Sequence, residues 1–319
     1  MHYIGIDIGG TNIAAGLVDE SGSIIAKMSS PTGAERGLDF IVEDMADLCQ
    51  RLMDGTGLRA ENIGAVGIGL PGIVSPQEGM VYFCPNLNWR DIPLRDIFAE
   101  RIDLPVYIGN DANVAAWAER ASGVFKGKDN CIFLTLGTGL GGGIILDGKL
   151  FTGVHHVGAE PGHMVLVANG NPCNCGNYGC FERYASASAL INMAKNALSG
   201  KVFPAGEGSL MLEKAGSIEK IDAKCVIDSA KEGDEVALDV FEAYAKYLAL
   251  GIVSLINLFD PEIIALGGGV SNAGEFLLEA VRRHVRENAL FKDIPYADIV
   301  IATLGNDAGI IGAAMLGAI

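Results

Sequence analysis

One local pattern occurs twice in this chain, and it narrows the possible folds more than any other feature. Near the start, "YIGIDIGG" reads as a buried strand, "NIAAGLVDE" as a second and "SGSIIAKMSS" as a third, with tight turns between them. From Cys131 the order recurs: "CIFLTLGTG", then "GGGIILDG", then "KLFTG" after the Asp147-Gly148 turn. Each half later carries one more strand that opens onto glycines, "AVGIGLPG" (65–72) and "IIALGGGV" (263–270). Such a repeat predicts two related α/β domains facing each other, with a ligand between them.

Helices fill the gaps. "LDFIVEDMADLCQRLMD" has apolar residues at helical spacing, and "ANVAAWAERAS" follows Asp111 directly. A long helix is predicted from about Asp234 to Phe259, stopped by Asp260-Pro261, and a small-residue helix from Asp307. Segment 199–224 is the least periodic and is expected to be loop or short helix. With 319 residues, half of them hydrophobic, the chain can fill two cores.

Charge excludes some partners. A net charge of −16 repels phosphate backbones and anionic lipid, so neither nucleic acid nor a membrane is an expected partner. "MHYIGIDIGGTN" lacks the basic start of a secretory leader, and "AGIIGAAMLGAI" is too short to span a bilayer. Seven cysteines, an odd number, argue against a disulfide framework and for a reducing, cytoplasmic setting.

"GTGLGG" (137–142) fits the dinucleotide pattern, but a strand follows it where that motif needs a helix. A phosphate cradle fits better, because both "DIGGTN" and "LGTG" combine glycine-freed backbone N–H groups with a Thr hydroxyl. Asp7 interrupts an apolar strand just before its loop, where a carboxylate can hold Mg²⁺ directly or through water. Asp111 directly follows the strand "VYIGN", where the next helix starts, and is expected as that helix's N-cap, whose dipole would keep it ionised. There it could accept a hydrogen bond from a sugar hydroxyl.

In "PCNCGNYGCFE", three cysteines lie within eight residues, and His163 of "GAEPGHM" stands ten residues before the first. The array H-x₉-C-x-C-x₄-C offers one imidazole and three thiolates, a Cys₃His zinc set with all four positions filled by protein. Such a site has no open position for chemistry, so the zinc should be structural. It would pin the 160–163 turn to the 173–182 loop. Glu182 and Asn86 of "PNLNW" are further candidates, for a sugar pocket.

Taken together, "DIGGTN", "LPG" at 70–72, "NLNW", "GNDAN", "TLGTGLGGGI", "EPGH" and "CNCGNYGCFE" resemble the ROK family in order and spacing, most closely its bacterial glucokinases. The resemblance is strong from Ile4 to about Leu190 and weaker through "ALGGGVS" and "NDAGIIGAAML". It implies an actin/hexokinase-type α/β fold, two ribonuclease-H-like domains with an active-site cleft between them. The expected division is 1–115, completed by a returning helix at 305–319, and 116–304 with the zinc site. Asp111 matches the catalytic base. Asn110, Glu160, His163 and Glu182, with Asn86 as helper, match the sugar-binding residues. His163, Cys173, Cys175 and Cys180 match the zinc ligands. Gly9, Gly10, Thr11 and Asn12, together with Gly137, Thr138 and Gly139, match the phosphate loops, and Gly268 and Gly269 the adenosine end. Pro161 departs from the family's usual aliphatic residue and should stiffen its turn.

The expected activity is ATP- and Mg²⁺-dependent phosphorylation of a hexose at its 6-hydroxyl, glucose first. N-acetylmannosamine, N-acetylglucosamine, mannose or allose are alternative sugars, and ADP or polyphosphate alternative donors. A non-catalytic sugar sensor is the rival from another class. The family's repressors carry an N-terminal DNA-binding extension, whereas here the first strand begins by residue 3. A homodimer or homotetramer is the assembly the resemblance implies.

Overall fold

The computed structural model describes residues 1–200 and 209–318. In chain order the elements are β1 (His2–Ile8), β2 (Asn12–Asp19), β3 (Ile24–Pro31), α1 (Leu38–Thr56), β4 (Ile63–Leu70), β5 (Ile73–Ser75), β6 (Met80–Cys84), β7 (Trp89–Ile92), α2 (Leu94–Ala99), β8 (Val106–Asn110) and α3 (Asp111–Ser122). There follow β9 (Cys131–Leu136), β10 (Leu140–Leu146), β11 (Lys149–Phe151), α4 (Glu182–Ala185), α5 (Ala187–Leu198), α6 (Leu210–Ala215), α7 (Ala223–Lys231), α8 (Glu235–Phe259), β12 (Ile263–Gly267), α9 (Glu275–Asn288), β13 (Asp298–Ile301) and α10 (Ala308–Met315). Of the aperiodic segment 199–224, α6 and the start of α7 are helical, and 201–208 lie outside the described residues.

The two main sheets each have five strands, ordered β3-β2-β1-β4-β8 and β11-β10-β9-β12-β13. Counted by first appearance, both read third-second-first-fourth-fifth, so the repeat seen in the sequence is a repeat of topology. In the first sheet β1 pairs antiparallel with β2 and parallel with β4. Compact units comprise Met1–Phe133, Gly143–Ala159 and Ala302–Ile319 in one case, and Leu134–Gly142 with Glu160–Ile301 in the other.

In the first unit, strand alternation sorts β1 into two faces. Ile4, Ile6 and Ile8 join Ile41, Met45, Leu48 and Leu52 of α1 in one buried cluster. Gly5 and Asp7 face the other way, toward α10. A Cβ at Gly5 would strike the Ile310 carbonyl oxygen, and one at Gly67 of β4 that of Ala313. The glycines of "YIGIDI" and "AVGIGL" therefore let the last helix lie directly on the sheet. A three-stranded sheet, β5-β6-β7, was not foreseen; its strands are too short for periodicity to show.

In the second unit α8 is the buried spine. Asp234 caps it, its side chain accepting from Ala237 N, and Asp260 ends it in the left-handed conformation at φ 42°. Among the described residues no helix is long and apolar enough to cross a membrane.

Candidate active site

The first unit holds the Gly9–Asn12 loop between β1 and β2. It closes through Gly9 N to Asn12 O at 2.9 Å. Buried Thr32 pins it from outside: its hydroxyl donates to Gly9 O at 2.7 Å, and its N–H to Thr11 O at 2.8 Å. Nothing in the sequence around Thr32 marked it. Asn86, on a one-turn 3₁₀ helix, places Nδ2 3.9 Å from where a Cβ on Gly10 would stand.

At the junction of β8 and α3 the helix cap is Asn110, not Asp111 as expected. Its Oδ1 accepts from Ala112 N at 3.0 Å and Asn113 N at 3.2 Å, while Nδ2 donates to Gly72 O at 3.0 Å. Asp111 is the first helical residue, its Oδ1 accepting from Ala112 N at 2.8 Å. The helix-end hydrogen bonds lower the Asp111 pKa, as expected of them, but they are not the largest influence on it. Burial outweighs those hydrogen bonds and raises the Asp111 pKa. Asp7 follows the same rule: burial first, then the Asp111 charge, raise it to about 6. Asp7 packs on the first turn of α10, where a Cβ at Gly309 would collide with its carboxylate.

Glu119, two turns along α3 from Asp111, is fully buried. It accepts from Val124 N at 2.8 Å, Thr303 N at 2.8 Å, Leu304 N at 3.0 Å and the Thr303 hydroxyl at 3.2 Å. These bonds tie α3 to the segment leading into α10. In "WAERAS" Glu119 looks like an ordinary surface charge, so this role was missed.

In the second unit the Gly137–Gly139 loop joins β9 to β10, closed by Gly137 N to Gly139 O at 3.0 Å. A strand follows it, as its sequence required. Gly268, at φ 80°, opens the 3₁₀ turn Gly269–Ala273 and packs on the backbone of Leu136, one residue before this loop. Glu160 precedes a 3₁₀ turn over Pro161–His163.

His163, Cys173, Cys175 and Cys180 come together, with one ligand atom from each all within 4.8 Å of one another. Cys175 Sγ lies 3.7 Å from Cys180 Sγ, and Cys173 Sγ 3.8 Å from His163 Nδ1. A tetrahedral zinc with bonds of about 2.3 Å needs sulfur separations of about 3.8 Å, so the donor set fits that ion in chemistry and spacing. Burial, and then the neighbouring Glu182, push the Cys173 thiol up to about 12, while a hydrogen bond from the Asn177 backbone lowers Cys175. Cys173 Sγ donates to Glu182 Oε1 at 3.0 Å. Glu182 opens α4, and its Oε2 lies 2.7 Å from where a Cβ on Gly139 would stand.

A family model described as the ROK family matches residues 3–318. The chain belongs to the ROK family. A glucokinase of Streptomyces coelicolor is 41% identical over 316 residues, covering 98% of this chain and 96% of the relative. A crystal structure of a ROK family glucokinase from Streptomyces griseus, in complex with glucose and AMPPNP, is 40% identical and covers 99% of both chains, with a TM-score of 0.83. A xylose repressor of Caldicellulosiruptor bescii is 31% identical over 97% of this chain and 76% of its own length. The ROK assignment carries the α/β, actin/hexokinase-type fold with it.

Proposed function

We propose that this chain is a glucokinase, transferring the γ-phosphoryl group of ATP to the 6-hydroxyl of glucose. The observation that carries the reading is Asp111: a half-buried carboxylate at the start of α3, directly after β8, in a chain 40% identical to a glucokinase seen with glucose and AMPPNP.

Asp111 accepts the 6-hydroxyl proton as the phosphoryl group arrives. Its raised pKa makes it a stronger acceptor than a solvated aspartate. Asn110, engaged at both ends of its amide, fixes the start of α3 and so orients that base. The candidate residues for the sugar are Asn86 and Asn110 in the first unit and Glu160, His163 and Glu182 in the second. The candidate phosphate cradles are the Gly9–Asn12 loop with the Thr11 hydroxyl in the first unit and the Gly137–Gly139 loop with the Thr138 hydroxyl in the second, where Gly268 and Gly269 are the candidates for the adenosine end. Mg²⁺ carried with the nucleotide would supply charge neutralisation during transfer, and Asp7 would be the carboxylate to hold it, directly or through water.

His163, Cys173, Cys175 and Cys180 would hold a structural zinc. With no open coordination position, the ion's role is to fix the Glu160–His163 turn against the Cys173–Glu182 segment. His163 would give Nδ1 to the metal and keep Nε2 for the sugar.

The test is ADP release measured with ATP, Mg²⁺ and a panel of glucose, mannose, allose, N-acetylglucosamine and N-acetylmannosamine. Glucose is expected to give the highest kcat/KM. A higher value for another sugar reassigns the substrate, and no release with any sugar overturns the kinase reading in favour of a sensor.

A further inference from the structure

Three close approaches link the cysteine–histidine cluster to the Gly137–Gly139 loop. On the histidine side, Gly162, next to His163, lies so near Leu140 that a Cβ would overlap the Leu140 carbonyl oxygen. On the cysteine side, Cys180 leads straight into α4, and Glu182 sets Oε2 2.7 Å from the Cβ position of Gly139. Just past α4, Ala187 N donates to Gly137 O at 2.8 Å.

The base of this linkage is rigid. Phe181 N donates to Met164 O at 2.8 Å, which joins the cysteine segment to the residue after His163. The Phe181 ring packs against α8 where Gly251 leaves no room for a Cβ.

We infer that the metal cluster braces the nucleotide loop as well as the sugar turn, and that Glu182 and Gly162 are the positioning residues that transmit the brace. This rests on the reading of Gly137–Gly139 as a phosphate loop. A glycine-rich loop loses much backbone entropy when it is ordered around phosphate. A metal that ties residue 163 to residues 173, 175 and 180 holds both walls of the loop in place beforehand. Nucleotide binding then no longer has to order the loop itself. If the metal served the sugar turn alone, nucleotide affinity would not depend on it.

The test is hydrogen–deuterium exchange of the full chain, metal-loaded and metal-stripped, with zinc content measured in each. Exchange at amides 137–142 is expected to speed up about tenfold on stripping, while α1 is unchanged. In parallel, ADP affinity in excess Mg²⁺, read by calorimetry, falls by about the same factor. Unchanged exchange at 137–142 in verified metal-free protein overturns the inference. Should the stripped protein unfold, the metal-loaded Glu182→Ala variant decides: faster exchange confined to 137–142 with zinc retained supports the brace, and unaltered exchange there overturns it. The exchange readout needs no substrate. Failure of the wild-type protein to bind ADP would therefore count against the kinase reading, while exchange still judges the brace.

Discussion

Asp7 and Asp111 lie in one compact unit, close enough that the charge of Asp111 adds to burial in raising Asp7 to about 6. The ordinary value is 3.8, so the fold favours the protonated form of Asp7. An acid whose pKa is raised on folding adds nothing unfavourable below its unfolded pKa, and its cost grows as pH rises to the folded pKa. Here that window runs from 3.8 to about 6. Above it the cost is roughly 3 kcal/mol. Asp7→Asn is therefore expected to stabilise the metal- and nucleotide-free protein at pH 7.5 by up to about 3 kcal/mol, with no gain near pH 4. Urea melts at the two pH values check this; an equal change at both refutes it. The same variant should lose turnover, the trade expected where a site keeps a strained charge for function.

Asp111→Asn should lower kcat by about 10²–10⁴-fold, because the amide cannot take the hydroxyl proton. The helix should survive, since Asn110 provides the cap and Asn at 111 can still accept from Ala112 N. Glucose binding, read by calorimetry, should therefore remain measurable. Near-normal turnover in this variant would remove Asp111 from the mechanism.

Glu119 anchors the far end of the same helix. Glu119→Ala orphans the N–H groups of Val124, Thr303 and Leu304, each worth about 1–3 kcal/mol when buried and unpaired. A loss of several kcal/mol is expected in denaturant melts. Glu119→Gln should cost less, since one carbonyl oxygen still accepts, but it turns an amide toward donors. A surface-like effect below about 0.5 kcal/mol for Glu119→Ala would show that α3 is not held this way.

Much of this was legible in the chain itself, for definable reasons. The apolar run of "YIGIDIGG" marks β1, and the single carboxylate that interrupts it marks Asp7. The cysteine spacing, with a histidine ten residues upstream, brought out the four side chains that the fold gathers. What stayed hidden depends on tertiary burial. Glu119 and Thr32 have no local signature, and β5 to β7 are too short to show a period. The direction in which the Asp111 pKa moves is hidden too, because helix-end hydrogen bonds are visible in sequence, while the desolvation that outweighs them is not. The capping role fell to Asn110 because only the folded path of β8 into α3 shows which residue leaves the helix.

Removing the metal should weaken sugar binding through lost geometry rather than lost chemistry. Cys173, Cys180 and the Pro161–His163 turn are joined to the sugar-binding candidates by very short stretches of chain: Glu160 adjoins the turn, and Glu182 lies two residues past Cys180. Without the ion, the buried thiols return to their protonated form, and burial holds Cys173 and Cys180 there. Cys173 then donates to Glu182 Oε1, an oxygen the sugar would need. Glucose affinity should fall by about 10–100-fold on stripping and return when zinc is restored, with Cys175→Ser giving an intermediate loss. Full glucose affinity in a protein verified to be metal-free would refute this account and leave the cluster without a part in sugar recognition.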